Sequence, residues 1–168
     1  MKLWILDADV IIDLLEWNVF ETLVEICTIY VASTVVSEVK HYKRDGVKFP
    51  IDFRRRYIKS GSVTEISASI DEIKYVLSFL SPLQKEALDP GELESLAILV
   101  REDGLILCTR DAAAIRTLPF LDVTHGGGSL EILLKSSGLQ RSDIKEYQTD
   151  QYFKNNIAIG QREKVYNF

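Results

Sequence analysis

The feature that most constrains this chain is a unit that occurs twice: a short apolar run, an abrupt carboxylate, then a helical pattern. Leu3 to Leu6 is short enough for a buried strand and is cut off by Asp7. Asp9 follows two residues later, ahead of Ile11, Leu14 and Leu15 on one helical stripe. Farther along, Leu105 to Thr109 is a second such run, ended by Arg110-Asp111, and Asp111 to Leu118 has helical character. Strands that alternate with helices favour a mostly parallel sheet covered on both faces. Ligands bind such sheets outside the carboxyl ends of the strands, so an acid at that position is placed for chemistry.

The intervening chain keeps alternating. Val19 to Ile26 predicts a short helix, and Thr28 to Ala32 a strand of β-branched and aromatic residues. Ser33 or Thr34 caps a helix expected to run to about Arg44, where Asp45-Gly46 and then Phe49-Pro50 break the pattern. From there to Gly61 the basic stretch is open to helix, hairpin or loop. Ser62 to Ser67 alternates as a strand does, and Ser69, Asp71 and Glu72 open a helix that stops near Pro82. Asp89-Pro90-Gly91-Glu92 has the pattern of a capped helix start, and Leu93, Leu96, Ala97 and Val100 carry that helix to Asp103-Gly104. Leu121 to Thr124 reads as a short strand. Gly126-Gly127-Gly128-Ser129 lacks the lysine and spacing of a nucleotide loop, so it is taken as a turn opening a helix to Gly138. Residues 1–139 therefore form one α/β domain. The extension over 140–168 has no placement from pattern, but Tyr147, Tyr152, Phe153, Tyr166 and Phe168 argue against disorder and leave packing along the domain or a homodimer contact open.

Composition narrows the classes. A chain of 168 residues, 46% hydrophobic and 27% charged, is that of a globular domain with a sizeable core. Cys27 and Cys108 lie in apolar runs, and Asp7, Asp9 and Asp13 interrupt the only apolar start. The expectation is a cytoplasmic protein with reduced thiols, no leader and no membrane segment. A net charge of −5 argues against nucleic acid until its distribution is considered. Between Lys40 and Lys59 the residues Lys40, Lys43, Arg44, Lys48, Arg54, Arg55, Arg56 and Lys59 outnumber Asp45 and Asp52, leaving +6 there and −11 elsewhere. Such a stretch is either a phosphate-contacting face or a solvated surface.

The acids Asp7, Glu38, Glu92 and Asp111 all lie on or at the ends of elements. Asp9 is the better candidate to cap the first helix, which leaves Asp7 for chemistry. Glu38 has no lysine four positions away and shares a helical face with Val35, Val39 and Tyr42, so it calls for a partner. Glu92 and Glu94 flank their helix's apolar stripe at about 100° per residue, and periodicity does not choose between them. Clustered carboxylates repel one another unless a cation neutralises them. Hard oxygens suit Mg²⁺ or Mn²⁺, which activate water against phosphodiesters. His41 and His125 are single histidines without metal-ligand spacing.

The segments Leu6-Asp7-Ala8-Asp9-Val10-Ile11-Ile12, Val36-Ser37-Glu38-Val39, Gly91-Glu92-Leu93-Glu94 and Cys108-Thr109-Arg110-Asp111 resemble, in order and spacing, the motifs of PIN-domain nucleases whose third motif begins Gly-Glu. Thr124 to Leu134 is similar to their closing segment, and the resemblance spans about Lys2 to Leu139. It implies a Rossmann-like three-layer α/β/α fold and a Mg²⁺- or Mn²⁺-dependent ribonuclease using metal-activated water. Asp7, Glu38, Glu92 and Asp111 take its metal-holding, catalytic positions, with Thr109 beside them and Glu92 preferred over Glu94. Lys40, Lys43, Arg44, Arg54, Arg55 and Arg56 would guide RNA. Many members are toxins neutralised by a small antitoxin, which is the inhibitor partner expected here. Two other classes compete. Asp7-Ala8-Asp9-Val10 also resembles the nucleophile motif of haloacid dehalogenase-type phosphatases, with Asp7 as nucleophile, although no later aspartate pair or lysine partner follows. The third is a non-catalytic interaction module on the same fold.

Overall fold

Trp4, Ile5 and Leu6 are buried almost completely, which for a strand requires cover on both faces. They form β1 (Leu3–Leu6) in the computed structural model, which describes residues 2–166. The chain turns at Asp7 into α1 (Ala8–Glu16), which lays Val10, Ile11, Leu14 and Leu15 into the core. It continues through α2 (Phe20–Ile26) and returns as β2 (Thr28–Ala32). The next helix, α3 (Ser33–Glu38), starts without a side-chain cap and is shorter than the expected run to Arg44. Val39 is extended, and Asp45 (φ 52) and Gly46 (φ 75) both adopt the left-handed conformation that a primed hairpin turn requires. β3 (His41–Arg44) and β4 (Val47–Pro50) consequently pair antiparallel, with Lys43 opposite Lys48. A wide π-helical turn over Arg54–Ile58 completes the basic stretch.

β5 (Thr64–Ile66) is followed by α4 (Ile70–Leu77), opened by the Ser69–Glu72 capping box. The pattern reading misses α5 (Pro82–Ala87), because this one-sided surface helix buries none of its residues; its signal is the Ser81–Gln84 capping box with Pro82. α6 (Pro90–Arg101) begins at the expected Asp89–Glu92 box. β6 (Leu105–Cys108) and α7 (Ala112–Thr117) repeat the opening unit, Asp111 capping the helix. The strand expected at Leu121 to Thr124 is replaced by 3-10 turns over Leu118–Leu121 and Thr124–Gly126, since Pro119 and the left-handed Asp122 do not extend. The edge strand is instead β7 (Gly127–Gly128), drawn from the glycine run that reads as a turn, followed by α8 (Leu130–Ser136).

The central sheet has the order β5-β2-β1-β6-β7, and every pairing in it is parallel. From β1 the chain moves outward to β2 and β5, then returns to β6 on the other side. Right-handed crossovers in opposite directions place helices on opposite faces, giving the three-layer α/β/α arrangement. Strand order reverses between β1 and β6, where Leu6 pairs with Cys108. That reversal is the crevice in which such sheets bind ligands.

The extension packs back onto this body. After a 3-10 turn at Glu146–Gln148, α9 (Asp150–Tyr166) lies along α7. Phe153 is buried, and Arg116 Nε donates to Asn156 Oδ1 at 2.8 Å. Phe168 lies outside the described residues. Cys27 and Cys108 are free thiols, and among the described residues no helix is long and apolar enough to cross a membrane.

Gly160 meets the backbone of α7: an added Cβ would come within 2.4 Å of the Arg116 carbonyl oxygen. Backbone cannot swing aside as a flexible side chain can. Gly160→Ala is therefore expected to lower stability by about 1–3 kcal/mol, read as a lower urea midpoint with an unchanged slope.

Candidate functional site

Three helix starts meet the ends of β1 and β6, and acids cap all three. Asp7 Oδ1 accepts from the Ala8 N–H at 2.9 Å. Asp111 Oδ1 accepts from Ala114 N–H at 2.9 Å. At the start of α6, Asp89 Oδ1 accepts from Glu92 N–H at 2.8 Å, while Glu92 Oε2 accepts from Asp89 N–H at 2.9 Å. Negative groups are favoured at helix N-termini, so the fold tolerates this gathering of charge. Asp7 itself caps α1, whereas Asp9, the expected cap, is exposed in the first helical turn. Unlike Asp89 and Asp111, which accept from the third N–H of their helices, Asp7 accepts from the N–H directly beside it.

Thr109 ties the two strand ends together. Its buried hydroxyl donates to Asp7 Oδ2 at 3.0 Å and accepts from the Asp111 N–H at 3.2 Å. Asp7 is 4% exposed and Glu92 6%. Burial pushes the Asp7 carboxyl up to about 7, against the hydrogen bonds from Ala8 and Thr109 and with repulsion from Asp89 and Asp9. Burial likewise pushes Glu92 up to about 8, with added repulsion from Asp7, Asp111 and Asp89. The half-buried Glu38 is raised by burial and by Asp89. Its carboxylate rests on Gly91, where an added Cβ would meet Glu38 Oε2 at 2.6 Å and Val35 Cγ2 at 3.0 Å.

Among the described residues, no Lys, Arg or His nitrogen lies within 4.0 Å of the carboxylates of Asp7, Glu38, Asp89, Glu92 or Asp111. Asp89 is the member that sequence reasoning passed over as a cap alone. Its charge bears on Asp7, Glu38 and Glu92 together. The signal was its place in the same capping box as Glu92.

Glu94 belongs elsewhere. Its Oε1 accepts from Thr34 N–H at 2.8 Å and its Oε2 from Ala68 N–H at 3.2 Å, so it clamps α3 and the end of β5 onto α6. The basic residues also divide. Arg54 pairs with Glu65, Arg56 with Glu21 at 2.5 Å, and Arg44 donates to the Leu15 carbonyl at 2.7 Å while lying over Tyr42. Lys40, Lys43 and Arg55 are exposed, with no carboxylate within 4.0 Å of their side-chain nitrogens among the described residues. A cleft lined by Ser37, Val39, Lys40 and Arg54 adjoins the end of α3.

Hard carboxylate oxygens, buried and lacking a cation, fit a divalent metal in their chemistry. As they stand, no three His, Cys, Asp or Glu side chains among the described residues are arranged to hold one ion. Each helix start turns an oxygen of its own acid toward its own backbone. Glu92 Oε1 and Asp111 Oδ2 accept no hydrogen bond among the described residues. Compared with known proteins, the chain matches no family model, no curated protein and no solved structure.

In metal-free protein the raised acids oppose folding as pH rises. Folded Asp7 and Glu92 keep protons to about 7 and about 8, whereas the unfolded chain loses them near 3.8 and 4.5. The stability these two acids contribute is thus fully present below about pH 4 and lost as pH climbs through 7 to 8. With chelator present, the melting temperature is expected to fall between pH 5 and 8, and Asp7→Asn or Glu92→Gln to flatten that fall. Glu94→Ala has the opposite sign, because two part-buried N–H groups lose their acceptor. It is expected to cost about 1–3 kcal/mol at neutral pH, measured by urea unfolding.

Proposed function

We propose that this chain is a divalent-metal-dependent nuclease that hydrolyses RNA phosphodiester bonds, with Asp7, Glu38, Glu92 and Asp111 as its site acids. One observation carries the reading: Asp7 and Glu92 are buried at the switch point, repelled by one another and by Asp89, with no side-chain cation in reach among the described residues. A buried carboxylate without a counterion is costly, and a hard cation is the partner it lacks. Asp7, Glu92 and Asp111 would hold Mg²⁺ or Mn²⁺, with Glu38 beside them. When bound, the ion supplies Lewis-acid chemistry and an activated water.

The chain's own residues do the rest. Thr109 fixes Asp7 relative to Asp111 through its single hydroxyl. Lys40, Lys43 and Arg55 offer exposed cations to the backbone phosphates of a bound strand. The choice of RNA follows the motif resemblance, as does a role as the toxin of a toxin–antitoxin pair. The phosphatase alternative leaves Glu38 without a role, and no lysine side-chain nitrogen lies within 4.0 Å of the Asp7 carboxylate among the described residues.

Asp7→Asn and Asp111→Asn are expected to reduce Mg²⁺- or Mn²⁺-dependent cleavage of single-stranded RNA to the level of the chelated control, with an unchanged far-ultraviolet circular dichroism spectrum. Cleavage by Asp7→Asn at the wild-type rate, or wild-type cleavage that persists in chelator, contradicts the reading.

A further inference from the structure

The C-terminal segment lies outside the motif resemblance, yet it reaches the residue next to Asp111. The Arg110 guanidinium carbon is 4.6 Å from the centre of the Tyr147 ring. Arg110 Nε lies 2.8 Å from Asp13 Oδ2, an ion contact with the N–H out of line, and an Nη lies 4.0 Å from Asp9 Oδ2. Asp13 is buried in α1 and accepts from the Nε2 of Gln148, also buried, at 3.0 Å. Gln148 is held in turn: its Oε1 accepts from Lys145 N–H at 2.7 Å, and its own N–H donates to the Lys145 carbonyl at 2.9 Å. On the other side of Asp111, α7 is pinned to α9 through Arg116 and Asn156. Asp111 thus stands between two anchor points, and the extension contributes to both.

We propose that Tyr147 and Gln148 form a brace that positions Asp111, acting through Arg110. The inference rests on the acid-site reading for its purpose, though not for its geometry. A long, flexible arginine has many conformations. Here a ring on one side and a buried carboxylate on another restrict it, and with it the peptide that carries Asp111. Carboxylates that must share one ion depend on placement to within about 0.5 Å, so the residues that restrain their backbone belong to the site's function.

Tyr147→Ala and Tyr147→Phe test the brace, since Tyr147 is only half-buried and neither change disturbs the core. In chelated protein, amide hydrogen exchange at Asp111 and Ala114 should quicken about two- to fivefold in Tyr147→Ala and stay at the wild-type rate in Tyr147→Phe, which keeps the ring. Mn²⁺, titrated calorimetrically, should bind Tyr147→Ala about tenfold more weakly than wild type. Wild-type exchange at those amides overturns the brace. So does an equal acceleration across β1 and α6, which would mark a merely structural role, or unchanged Mn²⁺ affinity. If wild-type protein binds no Mn²⁺, the acid-site reading fails, and the exchange rates alone decide whether Tyr147 holds Asp111.

Discussion

The level ending of β1 and β6 is the constraint on which the rest of the site depends. Leu6 pairs with Cys108, and the ladder continues one step beyond the strand, with Asp7 N–H donating to the Cys108 carbonyl at 3.2 Å. Because the two strands stop together at the point where sheet order reverses, the residues leaving them, Asp7 and Thr109, are neighbours. A single hydroxyl then spans from the Asp7 carboxylate to the Asp111 backbone. A register slip of one residue would turn every side chain of β1 to the opposite face and separate this pair.

The same acids serve as helix caps and as the charged centre, and the two roles act against each other. Capping gives each carboxylate an N–H partner and the favourable end of a helix dipole, which lets the fold form with the charges present. Burial and mutual repulsion nevertheless raise Asp7 and Glu92. The capped acids belong to three different helix starts, and among the described residues no three of them already enclose an ion. In this account a cation at the switch point would relieve that repulsion, with the free second oxygens of Glu92 and Asp111 available to hold it.

Much of this was legible from pattern, because strand, acid and helix start are local signals. β1, β6, the Asp89 box and the parallel sheet follow from short apolar runs and capping chemistry. Where two local signals compete, pattern chose less well. Asp9 has the composition of a cap, but backbone geometry gives that task to Asp7. Val39 to Arg44 extends an apparent helix, yet Asp45-Gly46 specifies a hairpin turn, and the turn prevails. What sets Glu94 apart from Glu92 is its pair of distant backbone N–H donors, Thr34 and Ala68, which no helical wheel contains. β7 was invisible because two glycines carry no strand propensity; they enter the sheet by allowing close approach to Trp4 and Leu118. Gln148 could not be matched with Asp13 from sequence, since their contact spans 135 positions.

The central claim is that a hard cation is the missing partner of these carboxylates. Crystals grown near pH 8 and soaked in Mn²⁺ would test it through anomalous scattering. The account predicts an anomalous peak bounded by Asp7, Glu92 and Asp111, with Glu92 and Asp111 turned toward it. Saturating Mn²⁺ that leaves this position empty, or that binds only elsewhere on the acidic surface, would contradict it.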